Sequence, residues 1–185
     1  FAATNRALSA LFAQASLAIA AREGKLERAV AVLVSDPKRT HVQLDVPCAG
    51  FTSLEEIAPA FGAWPELEKL ELDVTAAEQL TDISAVQGLE RFEKLRFARL
   101  IFTSCKALDD LAGLGRGVGN LQSLESLELS FRNCEALRDV GDLGFGAGNL
   151  RRLQRLEITF EECRRFRGMG PLGAGLEKLQ GLTSL

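Results

Sequence analysis

The residues of this chain that could do chemistry are four cysteines, a single histidine and a recurring glycine run. His41, Asp45 and Cys48 stand close enough in sequence to be drawn as a base, an orienting group and a nucleophile, but such a set must meet in space. On one strand His41 and Asp45 would share a face, while Cys48 lies past Pro47. A surface histidine at the start of a strand is the simpler reading. GLGRGVGN at Gly113–Asn120 contains GxGxG, the pattern of a phosphate cradle. A nucleotide-binding glycine loop follows a strand, opens a helix and occurs once per site. Here the glycines return as GFGAG at 144–148 and GAG at 173–175, so repetition accounts for them. Cys105, Cys134 and Cys163 are 29 residues apart, and no CxxC pair occurs. That spacing suits a repeated interior slot better than a zinc site or a disulfide ladder. HExxH, GxSxG and Walker patterns are absent from the sequence. The expectation is a chain without catalysis, cofactor or metal.

Arg164, Arg165 and Arg167 form a basic cluster, preceded by Arg151, Arg152 and Arg155. Solvated edge positions explain it, because Glu161 and Glu162 are mixed in. The functional reading is a docking patch for an acidic partner or an anionic lipid. Nucleic acid is not expected: the formal net charge is −3, and no aromatics interleave with the cations.

The elements that position these residues follow from one period. Leu95, Leu124, Leu153 and Leu182 each begin a similar segment 29 residues after the last. A period of this size means stacked units, none of which can bury its own apolar side alone. Within each unit, residues alternate as on a strand: Leu70, Leu72 and Val74; Ala98, Leu100 and Phe102; Leu127, Leu129 and Phe131; Leu156, Ile158 and Phe160. These point inward. The cysteine slot (Ala77 in the earliest unit) comes next, followed by Leu80, Leu108, Leu137 or Phe166. Asp82, Asp110 and Asp139 are positioned to cap a short helix of about two turns. Gly168 replaces that aspartate in the last unit, and with Pro171 it predicts a weak or irregular helix there. Gly115, Gly117 and Gly119 lower intrinsic helicity, so the helices should survive by packing, with adjacent coils close together.

The assembled pattern, LxxLxLxFxxCxxLxDLxxLGxG, resembles a leucine-rich repeat. Its CxxLxD part, seen at 105–110 and 134–139, resembles the cysteine-containing class, and the extended LxLxF strand and LGxG helix are similar to repeats of algae and other protists. The resemblance implies an α/β fold: a right-handed solenoid with a parallel sheet on its concave face and short convex helices. Units are expected at 39–66 (degenerate), 67–94, 95–123, 124–152 and 153–181, with a partial unit at 182–185. Residues 1–38 are expected to form an N-terminal helical cap. Leu8, Leu11, Phe12, Ala15 and Ile19 would make its apolar stripe, with Thr4 or Asn5 at its start and Gly24 at its end.

The resemblance also implies protein binding. The alternates of the inward positions would line the concave face: Glu71, Asp73, Thr75, Arg99, Ile101, Thr103, Glu128, Ser130, Arg132, Glu157, Thr159 and Glu161. With Asp45 counted, acids outnumber bases there six to two, which suits a basic or mixed protein surface. No aromatic anchor is expected among these positions. The open C-terminal edge of the sheet is the stronger candidate for binding, needing cover from further residues or another subunit. The expected role is a non-catalytic interaction or scaffold subunit of a multi-subunit assembly, with an organelle as one setting. A recognition module of a ubiquitin-ligase adapter or signalling regulator is the alternative, and an enzyme the least favoured. No apolar run is long enough to span a bilayer, so membrane association would be peripheral and through a partner. Free buried thiols point to a reducing intracellular compartment. The opening FAA resembles the start of plastid transit segments in algae with complex plastids. Both ends read as trimmed, processed or incomplete.

Overall fold

The computed structural model describes residues 26–46 and 50–184. Five strands, β1 (His41–Asp45), β2 (Lys69–Asp73), β3 (Phe97–Ile101), β4 (Ser126–Ser130) and β5 (Arg155–Thr159), form one parallel sheet in chain order. They pair in register: Leu44 faces Leu72, Leu72 faces Leu100, Leu100 faces Leu129, and Leu129 faces Ile158. Parallel neighbours need a crossover between them. Here each of the four crossovers carries one helix: 3₁₀ helices η1 (Glu55–Ala60) and η2 (Ser84–Arg91), then α-helices α2 (Ala112–Gly119) and α3 (Gly141–Ala147); a further helix, α4 (Gly170–Leu176), follows β5. A first helix, α1 (Leu26–Val34), precedes the sheet and packs beside η1. Among the described residues, no helix is long and apolar enough to cross a membrane.

The core lies between sheet and helices. Leu70, Leu72, Leu100, Leu127 and Leu129 are fully buried, while the residues between them are exposed or half-buried. Each repeat position becomes a ladder through the stack. Phe102 and Phe131 stack at 5.7 Å between ring centroids, and Phe131 and Phe160 at 5.6 Å. Ile158, Phe160, Cys163 and Phe166 are only partly buried. Among the described residues, 182–184 lie along the outer side of their coil, where Leu156 donates its N–H to the Ser184 carbonyl.

The helices depart from expectation in three ways. The crossovers before β3 are 3₁₀, not α-helical. There Phe61, Trp64 and Phe92 fill the space between coils, with ring centroids 6.3–6.4 Å apart. The later helices instead pack backbone to backbone: a Cβ on Gly146 would lie 2.0 Å from the Gly115 carbonyl oxygen. The second departure concerns the aspartates. The N-cap positions are Ile83, Leu111 and Val140, without side-chain caps. Asp82, Asp110 and Asp139 sit one residue earlier and accept the N–H two residues on, at 2.7, 2.7 and 2.8 Å. This is an Asx turn leading into the helix. Third, α4 is a regular seven-residue helix despite Gly168 and Pro171. A proline in the first turn removes an N–H that has no helical partner anyway.

The four glycines of α2 cost about 4 kcal/mol of helix propensity in total. Leu111, Leu114, Val118 and Leu121 are buried around it, each contributing roughly 1.5–3 kcal/mol. Packing wins, and the helix forms because it is stacked.

At the N-terminal end, Val30 and Leu33 of α1 are buried, and the Trp64 indole donates to the Leu33 carbonyl at 3.3 Å. The stripe expected over Leu8–Ile19, its Thr4, Asn5 and Gly24 boundaries, and Pro47 and Cys48 lie outside the described residues.

Candidate protein-binding face

The open face of the sheet carries three rows, because every second residue of a strand points away from the core. In register these are His41, Lys69, Phe97, Ser126 and Arg155; Gln43, Glu71, Arg99, Glu128 and Glu157; and Asp45, Asp73, Ile101, Ser130 and Thr159. Thr75, Thr103, Arg132 and Glu161 extend the face just past the strand ends.

Most of its charges are already paired. Arg99 donates from Nε to Glu128 at 2.9 Å, Lys69 pairs with Glu71 at 2.7 Å, and Arg155 with Glu157 at 3.0 Å. Arg132 pairs with Glu161 of the next coil. Below the face, Arg96 holds Glu125 through two bonds of 2.9 Å. That fork pushes the Arg96 pKa up and the Glu125 pKa down. Asp73 turns back onto Thr75, accepting its N–H at 2.9 Å and its hydroxyl at 2.6 Å. Ser130 lies 3.4 Å from the Thr103 hydroxyl. Ile101 and Thr159 are half-buried on the face. Exposed ion pairs contribute between nothing and about 1 kcal/mol each. They order the face rather than hold the fold, and a partner's charges can displace them cheaply.

The concave positions named from the sequence hold no aromatic ring, but the same face also carries Phe97. Phe97 opens β3, is 41 % exposed, and shares its face with Arg99 and Ile101. The Arg96 guanidinium carbon lies 5.6 Å from its ring centroid. Lys69, Glu71, Arg99, Ser126 and Glu128 surround it in a shallow depression of about 280 Å³. The signal was in the sequence: alternation extended one step back from Arg99 reaches Phe97. The same step adds Lys69 and Arg155, so acids outnumber bases six to four, and the acidic bias of the face is smaller than expected.

Among the described residues, the remaining candidates are engaged separately. His41 Nδ1 lies 2.9 Å from the Thr40 hydroxyl, whereas Asp45 accepts from the Gln43 amide at 3.2 and 3.3 Å. Cys105, Cys134 and Cys163 each donate to a backbone carbonyl one coil back. Among the described residues, no group of three or more His, Cys, Asp or Glu side chains is placed to hold a metal ion. Arg164, Arg165 and Arg167 are exposed in the loop after β5, away from the three rows.

No protein-family model and no curated protein matches the chain. Among solved structures, internalin C2 of Listeria monocytogenes is similar over 92 % of both chains, at 15 % sequence identity and a TM-score of 0.28. That superposition is too loose to bear on function. The chain's own parallel sheet, in-register leucine ladders and one helix per crossover are consistent with a leucine-rich-repeat fold.

Proposed function

We propose that this chain is a non-catalytic protein-binding module, a scaffold or recognition subunit that holds its partner on the open face of the sheet. One observation carries the reading: Phe97 is an exposed aromatic ring at mid-sheet, set among paired charges. Binding energy concentrates on a few aromatic and arginine anchors, with polar contacts around them excluding water. Phe97 and Arg99 supply the anchors; Glu71, Glu128, Glu157 and the Arg132–Glu161 pair supply the surround. The partner is a protein surface of mixed charge, with an apolar side chain to cover the ring. The cysteine-containing repeat class fits the thiol ladder, and three free thiols suit a reducing compartment. A larger assembly, organellar or otherwise, is the setting this role implies.

Site-specific photocrosslinking in extract of the source cells tests the reading. A benzoylphenylalanine at position 97 should give one discrete adduct, lost when Arg99→Glu is added. A probe at Phe145, which is 55 % exposed on α3, should not give the same adduct. Equal crosslinking from both positions would remove the assignment of the face.

A further inference from the structure

Five cations among the described residues are answered by carboxylates on the neighbouring coil. Lys94 meets Glu66, Arg96 meets Glu125, Arg99 meets Glu128, Lys106 meets Glu78, and Arg132 meets Glu161. Along one loop edge, four arginines gather without such a partner. Arg138 and Arg167 are 29 residues apart and occupy the same place on adjacent coils; the Arg167 N–H donates to the Arg138 carbonyl at 3.4 Å. Coils this close bring their side chains about 5 Å apart, and like charges in register repel. Arg164 and Arg165 stand in the same loop as Arg167. All four side chains are exposed. Among the described residues, none of the four guanidinium groups has a carboxylate within 4 Å.

We propose that this arginine edge docks an acidic polypeptide segment of a partner, in extended conformation. Arginine forks take carboxylates bidentately. Alternate residues of an extended chain are roughly 6.6 Å apart, a spacing that flexible arginines on adjacent coils can follow. A narrow ligand is favoured over a broad anionic surface by what borders the edge. Asp139 and Glu162 flank the arginines and are exposed, and the chain as a whole carries −3. A bilayer or a nucleic acid would be pressed against those carboxylates; a single acidic strand can lie between them.

The test is fluorescence anisotropy with a labelled eight-residue peptide of alternating Glu and Ser, at low salt, using the full chain. Wild-type protein should bind, and binding should weaken as salt rises. Arg138→Gln with Arg167→Gln, and Arg164→Gln with Arg165→Gln, should each weaken it, and the fourfold variant should lose about tenfold or more in affinity. Arg151→Gln with Arg152→Gln should bind as wild type does. Phe97→Ala should also leave peptide binding unchanged, which separates this surface from the sheet face. The emission of Trp64 reports whether each variant is folded, and the two double variants stand in if the fourfold one is not. Unchanged peptide affinity in the arginine variants would overturn the proposal. So would tight binding to phosphatidylserine vesicles by a protein that ignores the peptide.

Discussion

The Cys134 thiol donates to the Phe102 carbonyl, one coil back, at 2.9 Å. Cys105 does the same to Val74 at 3.2 Å, and Cys163 to Phe131 at 2.9 Å. Each thiol thus satisfies a carbonyl at the turn where the chain leaves the sheet. Cys105 and Cys134 are fully buried and Cys163 is partly buried. The hydrogen bond with Cys105, and then burial, raises the Cys134 pKa far above that of a free thiol. Burial chiefly raises that of Cys163. The nucleophile in alkylation is the thiolate. With iodoacetamide at pH 8, Cys163 should be labelled more slowly than a free thiol. Cys105 and Cys134 should be labelled only on unfolding. Mass spectrometry of the labelled peptides checks the order.

Gly146 of α3 and Gly173 of α4 should behave in opposite ways. Gly146→Ala would set a Cβ 2.0 Å from the Gly115 carbonyl oxygen, and no flexible side chain is there to yield. It should cost roughly 1–3 kcal/mol. Gly173→Ala meets nothing within 4 Å and lies inside α4. It should gain roughly 0.5–1 kcal/mol. Urea denaturation followed by the fluorescence of Trp64 reads both.

Phe131 is held between Phe102 and Phe160 and is fully buried. Phe131→Ala should cost about 3–5 kcal/mol, since the rigid coils on either side cannot collapse into the space. Phe160→Ala should cost clearly less, because that ring is already partly exposed. Equal losses in thermal melts would count against a ladder whose packing weakens toward β5.

One backbone position is strained in each of the four coils from β2 to β5. Ala76, Ser104, Asn133 and Glu162 have φ of 65, 60, 58 and 61°. The left-handed region costs an ordinary residue roughly 1–2 kcal/mol, and asparagine less. Glu162→Asn should therefore raise stability by roughly 0.5–1 kcal/mol, whereas Asn133→Val should lower it. A melting temperature for Glu162→Asn at or below wild type would argue against strain at this turn.

Asp82 accepts the Ser84 N–H at 2.7 Å, and that bond, with a second from the Ser84 side chain, holds its pKa below the usual aspartate range. A depressed folded-state pKa gives stability that is present above the unfolded value of about 3.9 and lost as pH falls through the folded one. Asp82→Asn should flatten the acid limb of the stability curve: stability falls at neutral pH, where the carboxylate contributes, and converges with wild type in acid well below about pH 4. Denaturation midpoints from pH 2 to 7 give the comparison.

What the sequence determined by itself was the stack. Alternation along LxLxF and a 29-residue period name the inward residues, because burial acts on each position separately and recurs with the chain's own spacing. Leu70, Leu100, Leu129, Cys105 and Cys134 are legible in this way. The tertiary structure decided what depends on two coils meeting. The 3₁₀ or α character of each crossover follows what fills the gap between coils, rings at Phe61 and Phe92 or bare backbone at Gly115 and Gly146. The aspartates turned out to be one residue short of the caps, because a side chain's reach to an N–H is set by local backbone angles that residue type alone does not fix. The grouping of Phe97 with Arg99 and Glu128, and of Arg138 with Arg167, rests on the register between neighbouring coils, and only the folded chain shows which outward residues those neighbours leave uncovered.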